Sequence, residues 1–121
     1  MGNLQTIFSK SGSNLKVGES SDWMLMNVRS GLIEIYGTFG GAAVEFDLSG
    51  DPMGDDRDPN SPAPTQFAPV FDSGGSVVSV NVERSDIPFS ILAELFRMRA
   101  RVVGGDGTTD LFVRATASRG E

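Results

Sequence analysis

The 121-residue sequence predicts an all-β protein, a single antiparallel β-sandwich or jelly-roll-like domain of about six to eight short strands with an amino-terminal arm. Apolar and polar residues alternate with a period of two in several segments, which is typical of strands with one buried face. Glycine-rich turns separate these segments at intervals of about 8 to 12 residues, as in small sandwiches and barrels. Helical periodicity is almost absent, and the length suits one domain.

The amino-terminal half begins with residues 1–22, which are rich in Ser, Gly and Asn and are interpreted as an arm or a first strand. The sandwich domain is predicted over residues 23–121. Residues 33–39 and 43–48 alternate on either side of a glycine pair at 40–41. This arrangement predicts a β-hairpin, because the tight turns of hairpins require the positive φ angles that glycine adopts easily.

A long acidic loop is predicted over residues 49–66, because this segment holds four of the six prolines and four aspartates. Proline removes hydrogen-bond donors from a sheet, and hydration favours the charged side chains. A loop of this length in a compact domain is functional, disordered or pinned by another part of the molecule.

The carboxyl-terminal half continues the strand pattern. Residues 67–71 and 76–82 are predicted as strands, and residues 87–95 as either a helical turn or an irregular crossing. Residues 96–103 then alternate apolar side chains with three arginines, and a glycine-rich turn leads to the last predicted strand at 109–116.

The composition excludes several classes of function. The sequence contains no cysteine and no histidine, so disulfides, Cys–His or Ser–His–Asp catalysis and ordinary zinc sites are excluded. The formal net charge of −6 argues against nucleic acid or an anionic membrane as a partner. Neither a membrane-spanning run nor a secretory signal is recognised. We therefore expect a binding or assembly protein with no catalytic residues, cofactor, metal or small-molecule substrate.

Two groups of carboxylates are candidates for chemistry. Clustered aspartates supply the oxygen ligands that Ca²⁺ requires, but the spacing lacks the calcium-loop pattern, and a solvated loop is the favoured interpretation. The aspartates concerned are Asp47, Asp51, Asp55, Asp56 and Asp58. Glu34 and Glu45 are expected to be neighbours across the hairpin, where a carboxylate pair serves glycoside hydrolysis, but an outer sheet face offers no sugar pocket.

Charge is distributed unevenly along the chain. Residues 31–60 carry seven acidic side chains and one arginine, whereas residues 96–121 carry five arginines and three acids. Arg97, Arg99 and Arg101 form a stripe on one face of a strand and require carboxylates opposite them. Three interpretations are open: the same subunit supplies the carboxylates, a neighbouring copy supplies them in a head-to-tail ring, or the stripe contacts nucleic acid, which the negative charge disfavours.

Trp23 and Tyr36 are the single residues of their types. The large area of a tryptophan within an apolar segment favours a core or interface anchor over a sugar-stacking platform. The sequence therefore predicts an interface set, which comprises Arg97, Arg99, Arg101, Arg114, Glu34, Glu45, Asp47, Trp23 and Tyr36.

Three motifs follow one another along the chain: YGTFGGAAVEF at 36–46, PVFDSGG at 69–75 and RARVVGGDGTT at 99–109. Together they resemble small structural proteins of tailed bacteriophage virions, in which a similar glycine-rich set recurs in this order. The resemblance covers about residues 32–48 and 67–114. It implies a β-sandwich or jelly-roll-like virion component without catalytic residues.

By this resemblance, the chain is expected to be a head decoration, or cement, protein. It would form a homo-oligomer, a trimer in that role, and clamp subunits of the major capsid protein. Its location would be the capsid exterior of the virion, after synthesis in the host cytoplasm. A tail or fibre adaptor is a further role that the resemblance allows, and a receptor- or carbohydrate-binding module is the alternative from a different class of function.

Overall fold

The computed structural model describes residues 3–26, 30–51, 58–71, 74–90 and 96–118, and within these ranges it contains ten β-strands and no helix. The all-β prediction is therefore confirmed. The strands are β1 (Asn3–Phe8), β2 (Leu15–Lys16), β3 (Met24–Met26), β4 (Ser30–Thr38), β5 (Ala43–Ser49), β6 (Ala68–Pro69), β7 (Ser79–Val80), β8 (Arg84–Ser90), β9 (Phe96–Val103) and β10 (Asp110–Ser118). Three of them, β2, β6 and β7, are only two residues long. The remaining seven strands fall within the predicted number of six to eight.

The strands form two antiparallel sheets. Sheet I has the order β1-β10-β4-β8, and β2 pairs with β10 beyond the end of β1. Sheet II has the order β3-β9-β5-β6, and β7 pairs with the same edge of β5 beyond the end of β6. If β1 with β2, and β6 with β7, are each taken as one interrupted strand, eight strands wind between the two sheets in the manner of a jelly roll.

The core lies between the sheets and follows the alternation in the sequence. Ile33 and Ile35 of β4 are buried, as are the alternate residues of β9 and β10 that the pattern assigned to the inside. The rings of Phe8 and Phe46 meet edge to face with centroids 6.0 Å apart, so they join sheet I to sheet II. The inward-facing prediction is correct for these strands because burial on one face imposes period two.

The predicted hairpin at the glycine pair 40–41 is wrong. Strand β4 pairs with β10 and β8, whereas β5 pairs with β9, so the turn crosses from sheet I to sheet II. The alternation could not reveal this, because a strand that returns in the facing sheet also buries every second residue. The turn between β9 and β10 crosses in the same way, and the two turns meet where the Thr109 hydroxyl donates to the Phe39 carbonyl at 2.8 Å.

Other segments differ from the sequence expectations in detail. Residues 3–8, interpreted as an arm or a first strand, form the edge strand β1, in which Asn3 lies opposite Ser118. The strands predicted at 67–71 and 76–82 are shorter than expected and correspond to β6 and β7, because the chain leaves the edge of β5 between them. Phe71 and Val77 form an isolated bridge in this excursion. In the ambiguous segment 87–95, residues 87–90 are extended in β8, and residues 91–95 lie outside the described ranges.

Candidate functional site

The arginine stripe on the outer face of sheet II is paired with carboxylates of the same chain. Asp47 of β5 accepts hydrogen bonds from Arg99 at 2.9 Å and from Arg101 at 3.3 Å, and Glu45 also lies 3.4 Å from Arg101. The hydrogen bond to Asp47 contributes most to raising the pKa of Arg101 above its ordinary value, and the charges of Asp47 and Glu45 add to it. Of the three interpretations of the stripe, pairing within one subunit is the one seen for Arg99 and Arg101.

Arg99 also lies over two aromatic rings that contact each other, those of Trp23 and Phe67, whose centroids are 5.4 Å apart. Its guanidinium carbon is 4.7 Å from the ring centroid of Trp23 and 4.8 Å from that of Phe67. Trp23 is 5 % exposed, so its ring is held in the fold and is not a free platform for sugar stacking. A cation over two rings gains electrostatic attraction from both, which adds to its ion pair with Asp47.

Arg97 has a different role from its neighbours in the stripe. Its side chain is 1 % exposed and donates to three backbone carbonyl oxygens, those of Pro59 at 3.0 Å, Pro62 at 2.7 Å and Asp51 at 3.0 Å. We call residues 58–67 the cover loop, because they lie over the outer face of sheet II. Arg97 therefore fixes the cover loop to the sheet, and the long loop is pinned where the structure describes it.

Further hydrogen bonds tie the cover loop down. The Asp51 carboxylate accepts from the backbone amides of Gln66 at 3.0 Å and Thr65 at 2.9 Å, and these bonds lower its pKa below the ordinary 3.8. The side chain of Asn60 accepts from the Trp23 amide at 2.8 Å and donates to the Trp23 carbonyl at 3.1 Å. The part of the outer face of sheet II around Arg97 and Trp23 is thus covered by the chain's own backbone.

The sequence did not indicate the burial of Arg97 or the role of Asn60. Both depend on contacts across 35 to 38 positions of the chain, which no local pattern encodes. One signal was present in Phe67, an aromatic residue that directly follows the proline-rich stretch and whose ring packs against that of Trp23 with centroids 5.4 Å apart.

The outer face of sheet I presents a different surface. Arg114 of β10 pairs with Glu34 on the neighbouring β4, donates to the Gln5 side chain at 3.1 Å and lies 5.8 Å from the ring centroid of Phe112. Leu32 and Tyr36, on either side of Glu34, are 46 % and 38 % exposed. We call this surface the sheet I face; it comprises Ile7, Leu32, Glu34, Tyr36, Phe112 and Arg114.

A second apolar surface lies at one edge of the sandwich. A groove of about 620 Å³ runs between the excursion that separates β6 from β7 and the edge strand β8. Phe71 and Val77 are exposed large apolar side chains in its lining, and Ile87 and Phe89 reach it from the core side. We call it the edge groove. Its walls are mostly apolar side chains, so it suits contact with an apolar group.

The carboxylate candidates do not form a reactive site in the described residues. Glu34 and Glu45 lie on the outer faces of different sheets, on opposite sides of the sandwich, so the expectation that they are neighbours is wrong. Within the described ranges no three acidic side chains gather as a metal site would require. Asp51 and Asp58 bind backbone amides instead, and Asp55 and Asp56 lie outside the described residues.

Across the ranges that the structure describes, no helix has the length and apolar character needed to cross a membrane. No family model matches the chain, and neither a curated protein nor a solved structure matches it.

Proposed function

We propose that the chain is a non-enzymatic structural protein of a virion, a capsid decoration protein that associates with its own copies and binds the major capsid protein on the exterior of the particle. The three glycine-rich motifs that resemble small phage virion proteins support this proposal. The jelly-roll winding agrees with it, because that architecture is used in capsid proteins, although lectins and cupins share it.

The observation that carries the proposal is the presence of two separate exposed apolar surfaces on one scaffold. The sheet I face and the edge groove both expose large apolar side chains, such as Leu32 and Phe71. A decoration protein has two kinds of neighbour, its own copies and the capsid protein, and it needs a contact surface for each. Exposed apolar patches on small proteins usually mark contact with other proteins.

The interface set predicted from the sequence divides into two groups under this proposal. The first group lies on the outer face of sheet II, is engaged in contacts within the chain and serves stability; it comprises Arg97, Arg99, Arg101, Glu45, Asp47 and Trp23. The second group, Arg114, Glu34 and Tyr36, lies on the exposed sheet I face, where it is accessible to a partner. The contact is therefore expected to involve the second group and the edge groove.

A decoration assay tests the proposal. Purified protein is added to capsids that lack it, prepared from the phage that encodes the chain, and bound protein is measured after sedimentation through a cushion. Saturable binding with a fixed ratio to the major capsid protein is expected, and Phe71→Asp should reduce it at least tenfold. Val103→Asp is the matched control, since Val103 is exposed outside the edge groove. Capsids that bind no protein, and virions that contain none by mass spectrometry, would overturn the proposal.

A receptor- or carbohydrate-binding module is the second candidate, and the exposed ring of Tyr36 is the observation that favours it. Stacking on Tyr36 beside Phe112 would bind a sugar face. Calorimetric titration with a panel of glycans decides between the two: saturable heat that Tyr36→Ala abolishes would establish this candidate, and its absence together with capsid binding would exclude it.

A further inference from the structure

We propose that the sheet I face is a self-association surface and that its occupant is a second copy of this chain, bound face to face about a two-fold axis. The axis runs parallel to the strands, between β10 and β4. The proposal rests on the proposed function only for the expectation that the protein oligomerises; its geometry follows from the register of sheet I.

Charge makes the sheet I face suitable for contact between identical chains. The protein carries a formal net charge of −6, so two copies repel one another through most surfaces. On the sheet I face, however, Arg114 is matched by Glu34, and at the adjoining edge Arg84 is matched by Asp86 with 3.0 Å between Nε and Oδ1. Each cation of the two pairs is thus balanced by an acid, and Glu83, whose side chain accepts from the Gly37 amide at 2.9 Å, adds one carboxylate at this edge. A second copy therefore meets far less repulsion here than the net charge of −6 implies for the whole surface.

The register makes the face complementary to itself. Phe112 lies directly opposite Tyr36, Arg114 opposite Glu34, and Thr116 opposite Leu32, in three successive rows across β10 and β4. A two-fold axis between these strands exchanges β10 and β4 and keeps each row in place. Arg114 of one copy then faces Glu34 of the other, and Phe112 faces Tyr36. Cation meets carboxylate and ring meets ring, as isologous contacts require.

The size of the face sets the expected strength. Four strands at about 4.8 Å spacing and seven residues at about 3.4 Å give a footprint of about 19 by 24 Å. That is about 450 Å², compared with about 800 Å² per partner in a standard stable interface. We therefore expect a reversible dimer that forms at high concentration. A trimer would instead require two different surfaces in a heterologous contact.

Sedimentation equilibrium from about 10 µM to about 1 mM, the range in which weak interfaces assemble, measures the association. The wild-type mass is expected to rise toward twice the chain mass. Leu32→Lys should keep the protein monomeric over this range. The matched control is Val82→Lys, an exposed valine outside the sheet I face, which should dimerise as the wild type does. Circular dichroism confirms that both variants fold.

A mixing experiment tests the axis itself. Arg114→Glu places two carboxylates on the face, and Glu34→Arg places two guanidinium groups there. Each variant is expected to be monomeric, because like charges would face each other across the axis. Their equimolar mixture is expected to form a heterodimer at least tenfold tighter than either homodimer, since every opposed pair then has opposite charge.

The outcomes separate this inference from the proposed function. A wild-type protein that stays monomeric to 1 mM, a trimeric mass, or an equimolar mixture without heterodimer would overturn the two-fold contact. Each of these results is compatible with saturable binding to capsids through the edge groove. Conversely, dimerisation with the expected variant pattern would support the two-fold contact even if the protein bound no capsid.

Discussion

Asp47 of β5 and Arg99 of β9 are directly opposite each other in sheet II, with 2.9 Å between the carboxylate Oδ2 and the guanidinium Nε. The same carboxylate reaches Arg101, two residues along β9. One nearly buried acid thus compensates two neighbouring cations that would otherwise repel each other. This relationship explains how a strand with arginines at alternate positions pairs in the middle of a sheet.

Replacing Asp47 by alanine is expected to lower the free energy of unfolding by about 3 kcal/mol, because two partly buried guanidinium groups lose their shared acceptor. Urea denaturation followed by circular dichroism measures the change. Arg84→Ala is the control, since it breaks an exposed pair on the edge strand and should alter stability far less. Equal effects of the two substitutions would contradict the central role of Asp47.

Arg97→Met is expected to loosen the cover loop while leaving the sandwich folded. Methionine fills much of the same space and carries no charge to bury, but it donates no hydrogen bonds to the Pro59 and Pro62 carbonyls of the cover loop or to the Asp51 carbonyl. Hydrogen exchange at the Thr65 and Gln66 amides should become at least about tenfold faster, since their acceptor Asp51 is positioned through the same contacts.

The amide of Ala100 provides the internal reference for that experiment. It donates to the Ser21 hydroxyl at 2.9 Å, on the part of β9 that the cover loop does not hold. Its exchange rate should not change in Arg97→Met. If Thr65, Gln66 and Ala100 all keep their wild-type rates, Arg97 does not pin the loop; if all three accelerate equally, the whole domain has been destabilised instead.

The sequence predicted the strands far better than their pairing. Period-two alternation identified the inward side of β4, β9 and β10, because each residue's environment in a half-buried strand depends on its own position. Pairing depends on where a strand lies relative to strands distant in the chain. The turn at the glycine pair 40–41 therefore indicated a change of direction correctly, while the conclusion that β4 and β5 are partners was wrong.

The candidate site was predicted in part for a similar reason. Charge matching suggested that arginines on β9 and β10 face Asp47, Glu45 and Glu34, and the structure shows each of these acids in such a pair. Arg97 differs, because its partners include backbone carbonyls of a loop whose path over sheet II has no signature in composition. Sequence patterns report side-chain preference, and they do not report which face a loop covers.

Stability is expected to fall in acid below about pH 4, and Asp51 contributes to that fall. Its pKa is lowered from 3.8 first by the Gln66 amide and then by the Thr65 amide. A lowered pKa means that the unfolded chain binds the proton more readily than the folded one. The stabilisation that Asp51 contributes is therefore present above pH 3.8 and is lost as the pH drops through the pKa of Asp51 in the folded protein. Asp51→Asn should therefore be less stable at neutral pH and should show a shallower loss of stability below pH 4.

Thermal unfolding between about pH 2.5 and 7 measures how the stability of each variant depends on pH. Asp106→Asn serves as a comparison at the other end of the fold, where the Thr108 hydroxyl and amide lower the pKa of Asp106 in the same direction. Each substitution should remove part of the acid dependence, and the two parts should add, because the sites share no partners. An Asp51→Asn variant with the wild-type acid profile would show that the two amide bonds do not favour the charged carboxylate.

Gly37→Ala is expected to destabilise the sandwich by about 3 kcal/mol or more, through backbone strain and crowding together. Gly37 has a φ of +126° in β4, and an added Cβ would lie 2.2 Å from the carbonyl oxygen of Asp110 on β10. Since β10 and β4 are the two central strands of sheet I, one of them must shift. Gly107→Ala is the control, because open space surrounds its Cβ position, and its unfolding midpoint in urea should change little. Similar midpoints for both variants would show that the contact between β4 and β10 at Gly37 accommodates a side chain.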